Sequence, residues 1–219
     1  MSSDFDAIVV GSGISGGWAI KELTERGLKV LLVERGPNTT HGQDYVGEGK
    51  APWELPYHGS IPEDILNQEY AIQQQCYALD DATKQFFVND RKHPYITKKD
   101  KPFSWIRGYQ LGGRSLLWYR QSYRWSEMDF KSNKQDGHGV DWPIRYKDIA
   151  PWYDHVEKFA GISGSKEGLE QLPDGQFLPP MEMNCVEIEV KKQIEQQFPD
   201  RTMIIGRCAH LTEPTKEHL

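Results

Sequence analysis

The stretch from Asp6 to Glu34 constrains this chain more than any other. Ala7 to Val10 is a short apolar run ending at Gly11, the pattern of a parallel strand covered on both faces. Gly11-Ser12-Gly13-Ile14-Ser15-Gly16 follows directly. Ile14, Trp18 and Leu23 then recur at helical spacing, and Gly27 stands where a helix stops. Leu28 to Val33 predicts a second buried strand, with Glu34 at its carboxyl end. The order strand, glycine turn, helix, strand predicts a Rossmann-like βαβ unit in an α/β fold.

The spacing of the glycines carries chemistry. Gly11 permits a tight turn out of the first strand. Gly13 has no side chain, so a pyrophosphate can come close to the backbone. Gly16 lets helix and strand pack closely. The first N–H groups of the helix, with roughly half a unit of positive charge from its dipole, face the phosphates. Gly11, Ser12, Gly13, Ile14, Ser15 and Gly16 are therefore the candidate dinucleotide-binding residues. Glu34 is placed to accept hydrogen bonds from a ribose hydroxyl, with Arg35 beside it. A competing pattern overlaps: Gly13-Ile14-Ser15-Gly16-Gly17 also fits G-x-S-x-G, the nucleophile elbow of hydrolases. That serine needs strands before it and an acid and a histidine after it in order. Here one strand precedes it, and no such order stands out.

The chain has 219 residues, room for one large domain or slightly more. Its net charge is −6 with both signs interspersed, which argues against nucleic acid as a partner and against a basic membrane-binding face. No apolar run approaches a bilayer span. Met-Ser-Ser-Asp-Phe-Asp lacks the basic and apolar regions of a signal peptide, which predicts a cytoplasmic location. Cys76, Cys185 and Cys208 are far apart and odd in number, as expected of thiols in a reducing compartment. The seven histidines form no H-E-x-x-H and no zinc spacing with a cysteine, so no metal site is expected.

Beyond the βαβ unit (1–36) the rhythm breaks. Residues 37–104 read as a polar insertion punctuated by Pro37, Pro52, Pro56 and Pro62. Within it a helix is expected from near Pro62, with Ile65, Leu66 and Tyr70 on its apolar face, and a short strand over Gln85 to Asn89. Asp90 to Pro102 is polar and expected to be exposed. Residues 105–125 are informative again. Gly112-Gly113 would let the backbone approach a flat ligand, Ser115 could hydrogen-bond it, and Trp118 and Tyr119 could wall a ring system. From pattern alone a glycine turn amid core aromatics is the better reading, because aromatic clusters are usually core. Arg107, Arg114, Arg120 and Arg124 stay open between phosphate contacts and solvated charges. From 141 to 219 a helix is expected with Pro151 in its first turn and Gly161 at its end, then a Gly/Pro-rich loop, an amphipathic helix over Val186 to Phe198, and a strand over Thr202 to Ile205 that begins a further sheet.

With these segments in hand the chain resembles the glucose-methanol-choline oxidoreductases, flavoproteins that oxidise alcohols and sugars. The likeness is greatest to the branch of the gluconate dehydrogenase large subunit and the pyranose oxidase-like enzymes. It rests on Gly11-x-Gly13-x-x-Gly16-Gly17 with Glu34-Arg35-Gly36-Pro37, then Arg107-Gly-Tyr-Gln-Leu-Gly-Gly-Arg-Ser-Leu-Leu-Trp118. Asp141-Trp-Pro-Ile-Arg-Tyr-Lys-Asp-Ile-Ala-Pro-Trp-Tyr153 and Gly206-Arg-Cys-Ala-His-Leu-Thr212 complete it.

The resemblance implies FAD, its pyrophosphate at Gly11, Gly13 and Gly16 and its adenosine ribose at Glu34. Gly112, Gly113, Ser115, Leu117, Trp118 and Tyr119 would run beside the flavin. Some relatives attach FAD through a histidine just before this tryptophan. Leu117 stands there, implying non-covalent FAD. Family members are more than twice this long, and their general base, a histidine with a histidine or asparagine partner, lies near their C-terminus. The chain is therefore expected to be the FAD-binding portion alone, without the substrate domain, and no catalytic residue is assigned to it. The parent reaction would oxidise alcohol groups of sugars, polyols or sugar acids by hydride transfer to flavin N5. An electron-acceptor subunit is a possible partner, and its export signal a route to the periplasm. Two alternatives remain: a non-catalytic nucleotide- or partner-binding module, and an NAD-linked dehydrogenase, against which the Gly112-Gly113 stretch argues.

Overall fold

The computed structural model describes residues 4–216. The chain divides into two compact units, Met1–Trp118 and Tyr119–Leu219. The division falls inside the 105–125 stretch.

The first unit opens with the predicted βαβ unit. Strands β1 (Ala7–Val10) and β2 (Val30–Val33) pair in parallel, Ala7 with Val30 through Val10 with Val33. Helix α1 (Ile14–Glu25) crosses between them. Gly27 ends the crossover in a left-handed conformation (φ +83°) that a Cβ would strain. β2 is shorter than its apolar run because Leu28 and Lys29 are spent on the turn. The Leu28 N–H donates to the Leu23 carbonyl (3.2 Å), and the Lys29 N–H donates to the Asp6 carboxylate (2.8 Å). The strands are not covered on both faces as expected. Ala7 and Val9 are half-buried, whereas Ile8 and Val10 are 65% and 81% exposed.

The buried apolar side chains of this unit lie in the insertion. Ile61, Phe86, Phe87 and Val88 are buried there with Gln73, and Arg107 of the following stretch is buried too. The strand expected over Gln85 to Asn89 does not form. A 3-10 turn (Lys84–Phe86) leads into extended backbone, where the Val88 N–H donates to the Arg107 carbonyl (2.9 Å). Loops bury this apolar run, and burial alone made it look like a strand. Helix α2 (Glu63–Glu69) starts after Pro62 as expected but is short. Ile65 is exposed, and a 3-10 turn follows at Gln73–Gln75. Residues 91–103 are exposed except Tyr95, in line with their polar sequence.

The second unit holds α3 (Glu127–Asp136), α4 (Tyr146–Ala160), β3 (Ile162–Ser163), α5 (Cys185–Gln197) and β4 (Cys208–Ala209). Its signals are largely caps. Asp129 accepts the Ser126 N–H (2.6 Å) and hydroxyl (3.0 Å) and launches α3, a helix the apolar pattern did not announce. Asp148 accepts the Arg145 N–H (2.9 Å) in the same way. That cap starts α4 before Pro151, which therefore lies inside the helix rather than in its first turn. Gly161 (φ +66°) ends it as predicted. Asn184 caps α5 by accepting the Val186 and Glu187 N–H groups (2.9 and 3.0 Å). Val186, Ile188 and Val190 on α5 remain exposed, so its expected apolar face is uncovered.

The expected strand over Thr202 to Ile205 is absent. The chain pairs later, where β3 and β4 join antiparallel through Ile162–Ala209 and Ser163–Cys208. Two buried arginines organise this unit. Arg124 grips both Glu157 oxygens (2.8 and 2.6 Å), Asp154 and the Tyr146 hydroxyl. Arg207, 1% exposed, binds Glu167 (2.7 Å), Asp174 (3.1 Å) and the Pro173 carbonyl (2.6 Å).

Candidate dinucleotide-binding site

The site forms where two glycine segments of the first unit meet. Gly11 leaves β1 with φ +92°, a turn that only glycine makes without strain. A Cβ on Gly16 would collide with the Gly11 carbonyl, so α1 sits against the turn only because Gly16 has none. Gly13 is the N-cap of α1 and offers no side-chain cap. A Cβ built on it meets nothing within 4 Å. The helix start therefore opens onto space with its first N–H groups uncapped by a side chain, the arrangement that suits an anion.

The second segment is laid along the first in register. A Cβ on Gly36 would strike the backbone of Tyr109 and Gln110. The Leu111 N–H donates to the Pro37 carbonyl (2.8 Å), and the Gly112 N–H donates to the Ser12 hydroxyl oxygen (2.9 Å). A Cβ on Gly113 (φ +56°) would come within 3.2 Å of the Gly13 Cα. The backbone then curls into a 3-10 turn, Gly113–Leu117, closed by the Gln110 side-chain amide donating to the Gly113 carbonyl (2.9 Å).

Between the segments lies a cavity of about 560 Å³. One wall is Val10, Gly11 and the run Gly13 to Gly16; the other is Arg114, Ser115, Leu117 and Trp118. Eight of the expected site residues thus share one cavity: Gly11, Gly13, Ile14, Ser15, Gly16, Ser115, Leu117 and Trp118. Val10 and Arg114 were not assigned. Val10 is simply the last strand residue before the turn. Arg114 donates to the Ile106 carbonyl (2.7 Å), which holds its stem along the wall. The Ser115 hydroxyl donates to the Gly112 carbonyl (2.6 Å) and so braces the turn. Ser15 lies within α1 and is not in a left-handed conformation, without the strained corner of a nucleophile elbow.

Glu34, Ser12, Gly112 and Gly113 form the bonding network beside the cavity. One Glu34 oxygen accepts the Arg35 and Gly36 N–H groups (2.7 and 2.9 Å). The other accepts the Ser12 N–H (2.8 Å) and hydroxyl (2.5 Å). The Ser12 hydroxyl first, then the Gly36 and Ser12 amides, hold the Glu34 carboxyl down to about 2. Arg35 lies with its guanidinium 4.0 Å over the Tyr109 ring and donates to that hydroxyl (3.0 Å). Arg107 is buried instead against Asp90 (2.7 Å) and the His93 carbonyl (2.6 Å). Tyr119 falls in the second unit and is 60% exposed. Among the described residues no group of histidine, cysteine or acidic side chains could hold a metal ion, and no helix is long and apolar enough to cross a membrane.

The donor set and the open helix start fit a dinucleotide pyrophosphate. Comparison with known proteins points the same way. Paromamine 6'-oxidase of Streptomyces fradiae is 28% identical over 75% of this chain and 24% of its own length. Gluconate 2-dehydrogenase flavoprotein of Pantoea cypripedii is 26% identical over 73% of this chain and 26% of its own. Fructose dehydrogenase large subunit of Gluconobacter japonicus is 26% identical over 80% and 29%. The chain thus spans about a quarter of the length of these relatives. A solved formate oxidase of Aspergillus oryzae RIB40 overlays 68% of this chain and 21% of its own, with a TM-score of 0.31 and 19% identity, a loose likeness. No family model matches.

Proposed function

Because this chain is similar to oxidoreductases of the glucose-methanol-choline type over about three quarters of its length, we propose that it is the FAD-holding portion of such an enzyme. The observation that carries the reading is the cavity at the uncapped start of α1, walled by the second glycine segment. Gly11 and Gly13 give the pyrophosphate backbone access, and the α1 dipole favours its charge. Glu34, at the end of β2, accepts four hydrogen bonds from Ser12, Arg35 and Gly36, so its part is to hold the loop that would meet the ribose end. Leu117 and Trp118 supply an apolar wall for the flavin end. Leu117 has no nucleophilic atom, so the cofactor is held without a covalent bond.

FAD bound here supplies a hydride acceptor for oxidation of a CH–OH carbon in a sugar, polyol or sugar acid. The chain's own part is to bind and orient it. The proton-accepting base of the whole protein is assigned to no residue described here. The relatives' names, a gluconate 2-dehydrogenase flavoprotein and a fructose dehydrogenase large subunit, support that substrate class and a partner subunit.

The test is flavin binding by the purified chain. Titration with FAD should quench flavin fluorescence to a saturable one-to-one endpoint, and ADP should compete. NADH binding without FAD binding would favour a nicotinamide enzyme instead. With no base assigned to this chain, gluconate or fructose should leave the bound flavin unbleached under anaerobic conditions; bleaching would show that the chain itself oxidises them.

A further inference from the structure

Ser12 occupies the middle of a directed chain of hydrogen bonds. The Gly112 N–H donates to its hydroxyl oxygen (2.9 Å), its hydroxyl donates to Glu34 (2.5 Å), and its own N–H donates to the same carboxylate oxygen (2.8 Å). Gly112 is a hundred residues away in sequence, so this side chain joins two distant glycine segments. Other contacts between them use backbone or an absent Cβ: Leu111 to Pro37, Gly36 against Tyr109, Gly113 against Gly13. In this row two side chains contribute: Arg35 meets the Tyr109 side chain (3.0 Å), whereas Ser12 bonds the Gly112 backbone itself, so a substitution at Ser12 removes the contact that reaches the turn directly.

We propose that Ser12 is a positioning residue: it clasps the Gly112-Gly113 turn onto the pyrophosphate loop and so fixes the distance between the two walls of the cofactor cavity. The proposal rests on the FAD reading of that cavity and adds a residue-level cause for its shape. Glu34 anchors the clasp. A charged acceptor fully occupied by protein donors holds the serine hydroxyl in one rotamer, and this orients its lone pairs toward Gly112. Gly112 itself is left-handed (φ +88°), a conformation that a glycine visits but does not keep unless something fastens it. Without the hydroxyl the turn loses this tether, and the second wall drifts from the first.

The test compares Ser12→Ala with Ser12→Thr in the full chain, by amide hydrogen exchange without FAD and by FAD titration. In Ser12→Ala the Gly112 amide should exchange about tenfold faster relative to the Val9 amide of β1, which lies in the ladder to β2 and serves as a reference for global opening. FAD affinity should fall about tenfold, the order expected for one charge-assisted hydrogen bond. Ser12→Thr keeps the hydroxyl and should restore both. Unchanged Gly112 exchange in Ser12→Ala, or exchange that rises equally at β1, overturns the clasp. So does faster Gly112 exchange with unchanged FAD affinity. Failure of the unsubstituted chain to bind FAD removes the cofactor reading instead, and the exchange measurement then still decides whether the clasp exists.

Discussion

Glu34→Gln is the most informative single change to the bonding network. The carboxylate accepts four hydrogen bonds, two at each oxygen, from Ser12 twice, Arg35 and Gly36. A glutamine keeps one acceptor oxygen and turns an NH₂ group toward donors on the other side. At least one pair of bonds is therefore lost, and two N–H dipoles face two others. The carboxyl group's drop from 4.5 to about 2 corresponds to roughly 3 kcal/mol if taken whole. Glu34 is only half-buried, so solvent screening reduces the expected effect to about 1–2 kcal/mol. Its pKa is depressed in the folded chain, so the stabilisation is complete above the unfolded value near 4.5. It fades as pH falls toward about 2. Urea denaturation of both chains at pH 7 and at steps down to pH 3 should give a gap of that size that narrows with acid. A gap that is absent at pH 7, or that is constant between pH 7 and pH 3, would refute the reasoning.

Gly16→Ala should cost about 2–4 kcal/mol and abolish FAD binding, because the new methyl meets the Gly11 carbonyl; thermal melting and flavin titration check both. Arg207→Ala should destabilise the second unit by about 3–5 kcal/mol, since it leaves Glu167 beside Asp174 without their shared cation. Arg207→Met, in contrast, should restore part of the packing and little of the stability; equal melting of all three chains would show that the buried pairs contribute nothing.

The βαβ unit was legible because its signals are local. A glycine turn, a helical repeat and an acid after a short apolar run need only neighbours along the chain. Its helix and both strands formed within two residues of the expected places, although β2 gave up Leu28 and Lys29 to the turn. The joining of the 109–113 stretch to that unit was not legible. It depends on Gly36 lying under Tyr109, Arg35 over the Tyr109 ring, Leu111 bonded to Pro37 and Ser12 bonded to Gly112, contacts that leave no periodic trace in sequence. The four arginines show the same limit. Arg107 and Arg124 are buried ion-pair partners, Arg114 walls the cavity, and Arg120 is exposed with φ +64°.

The strand expected at Gln85 to Asn89 failed for a related reason: an apolar run buried by loops looks the same as one buried in a sheet. Caps, not apolar spacing, located α3 and the true start of α4. Ile8 and Val10 on β1, with Val186, Ile188 and Val190 on α5, are apolar positions that the pattern expected to be covered and that are exposed, because pattern marks which face is apolar and not what packs on it.

The central claim is that a dinucleotide pyrophosphate lies against the uncapped start of α1. FAD titration of the chain and of Gly13→Val tests it most directly, because a Cβ at Gly13 enters the cavity and meets no protein atom within 4 Å. The account predicts saturable FAD binding by the unsubstituted chain and none by Gly13→Val, with a loss of stability of no more than about 1 kcal/mol from the poorer N-cap residue. Undiminished FAD affinity in a folded Gly13→Val chain would contradict it.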